Sequence, residues 1–142
     1  TELQAALGIS QMTRLKEFVA KRHRIAKRYN YLLKNLSVTV PFQPKNTYSG
    51  LHLYVIRLNL DKLKLTHTRV FEELRKNKIN VNLHYIPVHL QPYYSAMGFK
   101  YGDFPVSEKY YAEAISLPMF TGLTERKQDR VVETLTAILK KK

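Results

Sequence analysis

Val81-Asn82-Leu83-His84-Tyr85-Ile86-Pro87-Val88-His89-Leu90-Gln91-Pro92-Tyr93-Tyr94 begins as a strand and ends as a proline-locked loop crowded with rings. Extended two residues back, Ile79 to Tyr85 alternates strictly. Ile79, Val81, Leu83 and Tyr85 fall on one face, and Asn80, Asn82 and His84 on the other. Such a strand has one apolar face for a core and one polar face for contacts. Pro87 and Pro92 fix the backbone beyond it and lower the entropy lost when a loop closes on a ligand.

Upstream, Thr66 or Thr68 caps a helix to about Asn77, with Val70, Phe71 and Leu74 inward and a Glu72–Lys76 pair outside. Leu51 to Leu60 is almost continuously apolar and predicts a buried central strand, with His52 and Tyr54 on one face. Ser37 to Val40 is a short strand stopped by Pro41, and Gln43 to Gly50 a polar loop. Leu3 to Leu36 repeats apolar residues at three- and four-residue spacing, which predicts a long helix interrupted near Gly8 to Ser10. Its small, apolar start, Thr1 to Gly8, suits packing against another part of a protein.

Downstream, Asp103-Phe104-Pro105 opens a helix to about Ala114, Ile115-Ser116-Leu117 is a strand ended by Pro118, and Thr124-Glu125 caps a last helix. Val131, Val132, Leu135, Ile138 and Leu139 form that helix's apolar stripe. The sum is an α/β two-layer sandwich: a long N-terminal helix, a small sheet and helices on one of its faces.

The 142 residues suit one domain, residues 1–142, with 44% hydrophobic and 25% charged residues and no repeat or linker. Without cysteine there is neither disulfide nor thiolate chemistry, which fits a reducing, cytoplasmic setting. No apolar run reaches the roughly 18 residues of a membrane span, and no signal peptide is visible. Thr1 in place of an initiator methionine suggests a piece of something longer.

The 24 Lys and Arg against 11 Asp and Glu give a net charge of +13, which attracts polyanions. Lys16, Lys21, Arg22, Arg24, Lys27 and Arg28 share the outer face of the first helix, however, and Lys140 to Lys142 form a tail. The charge therefore reads as solvated surface, with no nucleic-acid motif and no membrane partner. A stand-alone basic module for nucleic acid or an acidic partner is the alternative reading.

His84 and His89, with His52 across the sheet, make a metal site conceivable, but no second carboxylate–histidine cluster or H-E-x-x-H motif accompanies them. His84 and Tyr85 are better suited to hydrogen bonds with a ligand. No phosphate loop, nucleophile elbow or paired carboxylates occur, and no lysine has an obviously apolar setting. Taken by itself the sequence shows no obvious catalytic centre.

Four blocks carry a resemblance: Thr1-Glu2-Leu3-Gln4-Ala5-Ala6-Leu7-Gly8, the His84 to Tyr94 strand-loop, Ala114-Ile115-Ser116-Leu117-Pro118 and Gly122-Leu123-Thr124-Glu125. In this order they resemble the DegT/StrS family of nucleotide-sugar aminotransferases, and the context of His84 to His89 with Tyr110-Tyr111 is most similar to its pseudaminic-acid branch. The resemblance implies the small C-terminal domain of the aspartate-aminotransferase fold. It implies a homodimeric pyridoxal 5'-phosphate enzyme that moves an amino group from glutamate to C4 of a UDP-linked 4-keto-6-deoxy sugar for surface glycans. The Schiff-base lysine and most cofactor contacts are then upstream of Thr1, leaving neither catalytic nor cofactor-binding residues here. Asn82, Leu83, His84 and Tyr85 match the segment that lines the nucleotide-sugar pocket in that family.

Overall fold

The computed structural model describes residues 1–140, and the last two lysines of the expected basic tail lie outside the described residues. Helix α1 (Glu2–Met12) opens on a capping box between Thr1 and Gln4. Helix α2 (Leu15–Leu33) follows it. The break comes at Thr13 and Arg14, not at Gly8 to Ser10: the Thr13 hydroxyl donates to the Ser10 carbonyl at 2.7 Å, and Arg14 N–H bonds Gln11 three residues back. Competition for carbonyls ends the helix there, whereas Gly8 stays inside it. None of α1 is buried, and Leu3, Leu7, Ile9 and Met12 are all exposed.

Strands β1 (Val38–Thr39) and β2 (Tyr54–Leu58) pair antiparallel. The second is shorter than the Leu51 to Leu60 run, because Leu51 sits at φ 46°, a left-handed conformation that no strand uses. His52 therefore precedes the strand, exposed beside Arg22, while Tyr54 is buried. Helix α3 (His67–Lys76) takes Thr66 as its cap, the hydroxyl accepting from Arg69 N–H at 3.2 Å. The helix's ion pair is Arg69–Glu73 at 3.0 Å, three positions before the expected Glu72–Lys76, with Glu73 buried and only Arg69 exposed.

Strand β3 (Asn82–Leu83) is the main departure from the alternating pattern, which spans Ile79 to Tyr85. At its start, Lys78 adopts φ 59° and the Ile79 N–H reaches back to the Leu74 carbonyl at 3.0 Å, so these residues close α3 instead of joining the sheet. At its end the partner strand runs out. Helix α4 (Pro92–Ala96) lies in the following loop, and helix α5 (Pro105–Glu113) runs without a connecting residue into β4 (Ala114–Leu117). Leu83 pairs with Ile115, and just beyond it β4 gives way to helix.

The sheet order is β1-β2-β4-β3, all antiparallel, so the two most buried strands are central. Register puts Tyr54 opposite Leu117 and Ile56 opposite Ile115. These face a helical layer of α2, α3 and α6 (Glu125–Leu139), whose Tyr29, Leu33, Val70, Leu74, Leu135 and Ile138 complete the core. Each such aliphatic chain contributes about 1.5–3 kcal/mol by leaving water. The Gln128 amide donates to the Ile25 carbonyl at 3.0 Å and ties α6 to α2 inside this layer.

Candidate functional site at the end of β3

Alternation along the strand separates the first two of the four expected residues. Leu83 shares the face of its partner Ile115, toward the helices, and Asn82 that of Ser116, on the opposite side. Strand β3 ends at Leu83, and beyond it the next two rings stack on each other instead of dividing between the faces. The Nδ1 of half-buried His84 lies 3.4 Å from Ser116 Oγ, and the Tyr110 ring meets it edge-on at 6.0 Å. Tyr85 is 70% exposed and borders the helical side, its ring 4.8 Å from that of His84.

A groove of about 500 Å³ runs between α3 and β3, lined by Phe71, Arg75, Asn82, Leu83 and Tyr85. Arg75 is the residue that pattern reading missed. Its guanidinium donates to Asn80 Oδ1 at 3.3 Å and to the Val81 carbonyl at 3.4 Å, which holds a fixed cation at the groove. No pattern in the sequence signals it, because the contact depends on the left-handed turn that the structure shows at Lys78, after the last turn of α3. A guanidinium so placed suits an anionic group such as a diphosphate. A wider, mostly apolar cavity of about 810 Å³ adjoins the groove, sharing Phe71 and Leu83 and adding Leu60, Leu65, Leu90 and Tyr111. At its rim His67 Nε2 donates to the Ala114 carbonyl at 2.9 Å.

The loop after β3 is fastened from below. His89, in the turn Val88–Leu90, is buried with its Nε2 2.9 Å from Glu108 Oε1. The same oxygen accepts from the N–H groups of Gly102 at 2.9 Å and Phe104 at 3.3 Å. Burial pushes the Glu108 carboxyl up, but the bonds from Gly102, His89 and Phe104 outweigh it, and its pKa lies below the ordinary value. His52, His84 and His89 thus have separate partners, Arg22, Ser116 and Glu108. Among the described residues, no group of three or more His, Cys, Asp or Glu could hold a metal ion.

Pyridoxal phosphate does not fit this surface alone. A lysine nucleophile needs a depressed pKa, yet Lys109, paired with Glu113, has its pKa raised, and no lysine lines the groove or the cavity. Among the described residues, no helix is long and apolar enough to cross a membrane.

The sequence profile of the DegT/DnrJ/EryC1/StrS aminotransferases matches residues 1–136. The chain belongs to that family. The spore coat polysaccharide biosynthesis protein SpsC of Bacillus subtilis is 33% identical over 98% of the chain and 36% of its own length. The PLP-form of Spr1654, a putative sugar aminotransferase from Streptococcus pneumoniae, superposes with a TM-score of 0.88 at 26% identity, over 97% of this chain and 35% of that one. Helicobacter pylori PseC, an aminotransferase of pseudoaminic acid biosynthesis, gives 0.87 at 25% identity, over 97% and 37%. The fold is that of one part of the DegT/DnrJ/EryC1/StrS aminotransferases, and this chain spans little more than a third of the length of the curated relatives it matches.

Proposed function

We propose that this chain is the small C-terminal domain, residues 1–142, of a pyridoxal-phosphate-dependent sugar aminotransferase and forms the nucleotide-sugar wall of its active site. In this reading the enzyme is a cytoplasmic homodimer. It transfers the amino group of glutamate to C4 of a UDP-linked 4-keto-6-deoxy sugar, within surface-glycan biosynthesis. The remainder of the protein binds the cofactor, which supplies an electron sink, and carries the lysine that this surface lacks. The observation that carries the proposal is the Arg75–Asn82–Tyr85 groove, on a chain whose relatives include PseC and SpsC.

In this assignment Arg75 neutralises the diphosphate, and the exposed Tyr85 ring offers a face for stacking and a hydroxyl for hydrogen bonding. Asn82 and Leu83 contribute their backbone edge, and His84, steadied by Ser116 and Tyr110, contributes a ring nitrogen toward the sugar. In the full-length enzyme, with glutamate and a UDP-4-keto sugar, His84→Ala and Tyr85→Phe are expected to raise the sugar-nucleotide KM about tenfold, as lost binding contacts do. Unchanged KM and kcat in both variants would remove the assignment.

A further inference from the structure

His84 and Tyr85 extend beyond the last ladder pair of the sheet, Leu83 with Ile115, so the sheet alone does not determine where their rings point. The chain leaves β3 and reaches His89 five residues after His84. There it is fastened again, by the bond from His89 Nε2 to Glu108 Oε1. Both ends of this short tether are fixed, and so few residues leave little slack between them. Pro87, in extended conformation at φ −52° and ψ 137°, removes more of it.

The second fastening is built into the same frame as the first. Glu108 and Tyr110 sit two residues apart on α5, and α5 continues directly into β4, the strand that pairs with β3. One carboxylate oxygen thereby joins the His89 turn, the backbone at Gly102 and Phe104, and the helix that carries the ring packed against His84. Gly102 sits at φ 98°, a conformation that L side chains rarely adopt, within the turn that delivers its N–H. The Phe104 ring packs 4.7 Å from that of His89, and His89 and Glu108 are both buried.

We infer that His89 and Glu108 are positioning residues for the sugar-nucleotide site: their buried bond fixes the His84–Tyr85 corner against Tyr110 and so sets affinity for the substrate without touching it. The inference rests on the assignment of His84 and Tyr85 given above. It predicts that the bond, and not merely the volume of an imidazole, is what counts. A glutamine at position 89 can place an amide N–H near the site of Nε2, whereas leucine fills space and donates nothing.

The test uses the full-length, cofactor-loaded enzyme in steady state, varying glutamate and the UDP-4-keto sugar separately, for His89→Leu, His89→Gln, Glu108→Gln and His84→Ala. His89→Leu is expected to raise the sugar-nucleotide KM about tenfold while the glutamate KM stays within about twofold, since a misplaced contact weakens only the ligand it serves. His89→Gln is expected to recover most of that loss. Glu108→Gln keeps the shape and an acceptor oxygen but loses the charge that strengthens the bonds from His89, Gly102 and Phe104, and it serves as the second reading where the leucine variant does not fold. Its sugar-nucleotide KM is expected to rise with the glutamate KM unchanged.

Equal losses in His89→Leu and His89→Gln, or parallel rises in both KM values for His89→Leu and Glu108→Gln, would overturn the inference in favour of general packing. A sugar-nucleotide KM that rises in His84→Ala but stays put in His89→Leu and Glu108→Gln would overturn this inference alone. An unchanged KM in His84→Ala would remove the functional assignment beneath it.

Discussion

Tyr29 is a sharp probe of how the helical layer is held to the sheet. It is fully buried, its ring lies 4.9 Å from that of Tyr54 on β2, and its hydroxyl donates at 3.1 Å to the carbonyl of Pro118, just past β4. Tyr29→Phe removes one neutral hydrogen bond and keeps the ring. Pro118 is only partly buried, so its carbonyl can recover water, and the expected loss is about 1 kcal/mol. Tyr29→Ala also removes the ring from the junction of α2, β2 and β4, and the expected loss is about 3–5 kcal/mol.

Equilibrium urea unfolding of the chain, followed by far-ultraviolet circular dichroism, separates the two. With a slope of about 2 kcal/mol per molar urea, the midpoint falls by about 0.5 M for phenylalanine and by about 2 M for alanine. A phenylalanine variant as damaged as the alanine variant would refute the view that ring packing dominates. An alanine variant within about 1 kcal/mol of the parent would refute the claim that this side chain closes the core.

The same two phenols govern alkaline behaviour. Burial holds the Tyr29 hydroxyl un-ionised well above its ordinary range, partly offset by Arg28, and burial together with Tyr29 does the same for Tyr54. The unfolded chain releases these protons first, so the contribution is intact below about pH 10 and is lost as pH rises beyond it. Spectrophotometric titration of the ten tyrosines should show two that ionise only as the chain unfolds. Lys78→Gly is expected to stabilise the chain by about 0.5–1 kcal/mol, because φ 59° at the end of α3 favours glycine; an unchanged urea midpoint would count against this. Mixed with pyridoxal phosphate and reduced with borohydride, the isolated chain should carry no pyridoxyl group at a defined lysine, and a single stoichiometric adduct in a peptide map would contradict the placing of the cofactor on another part of the protein.

How legible each element was in the sequence depended on where its limits come from. The helices α3 and α6 carry their own boundaries, a capping threonine and an apolar stripe, and lie within a residue or two of expectation. Strand β4 is similarly local, bracketed by a helix and by Pro118. The extent of β3 is not local: Ile79 is taken up in ending α3, and pairing stops because β4 stops, facts about other segments. The site divides in the same way. Asn82 to Tyr85 could be named from alternation and from a family resemblance, but Arg75 joins them only through the turn at Lys78. The partner of His89 stands nineteen residues away on another helix. Spacing identifies faces, whereas a contact between distant segments needs the fold.

The direct passage from α5 into β4 also decides where this chain can change length. A residue inserted between Glu113 and Ala114 would exchange the two faces of β4, turning Ser116 toward the helices and Ile115 and Leu117 away from them, because side chains alternate along a strand. An insertion in the polar stretch from Gln43 to Gly50, exposed along nearly its whole length, disturbs no ladder. Length changes before β2 are therefore expected to be tolerated, whereas at the α5–β4 seam even a single-residue insertion or deletion is expected to be strongly destabilising.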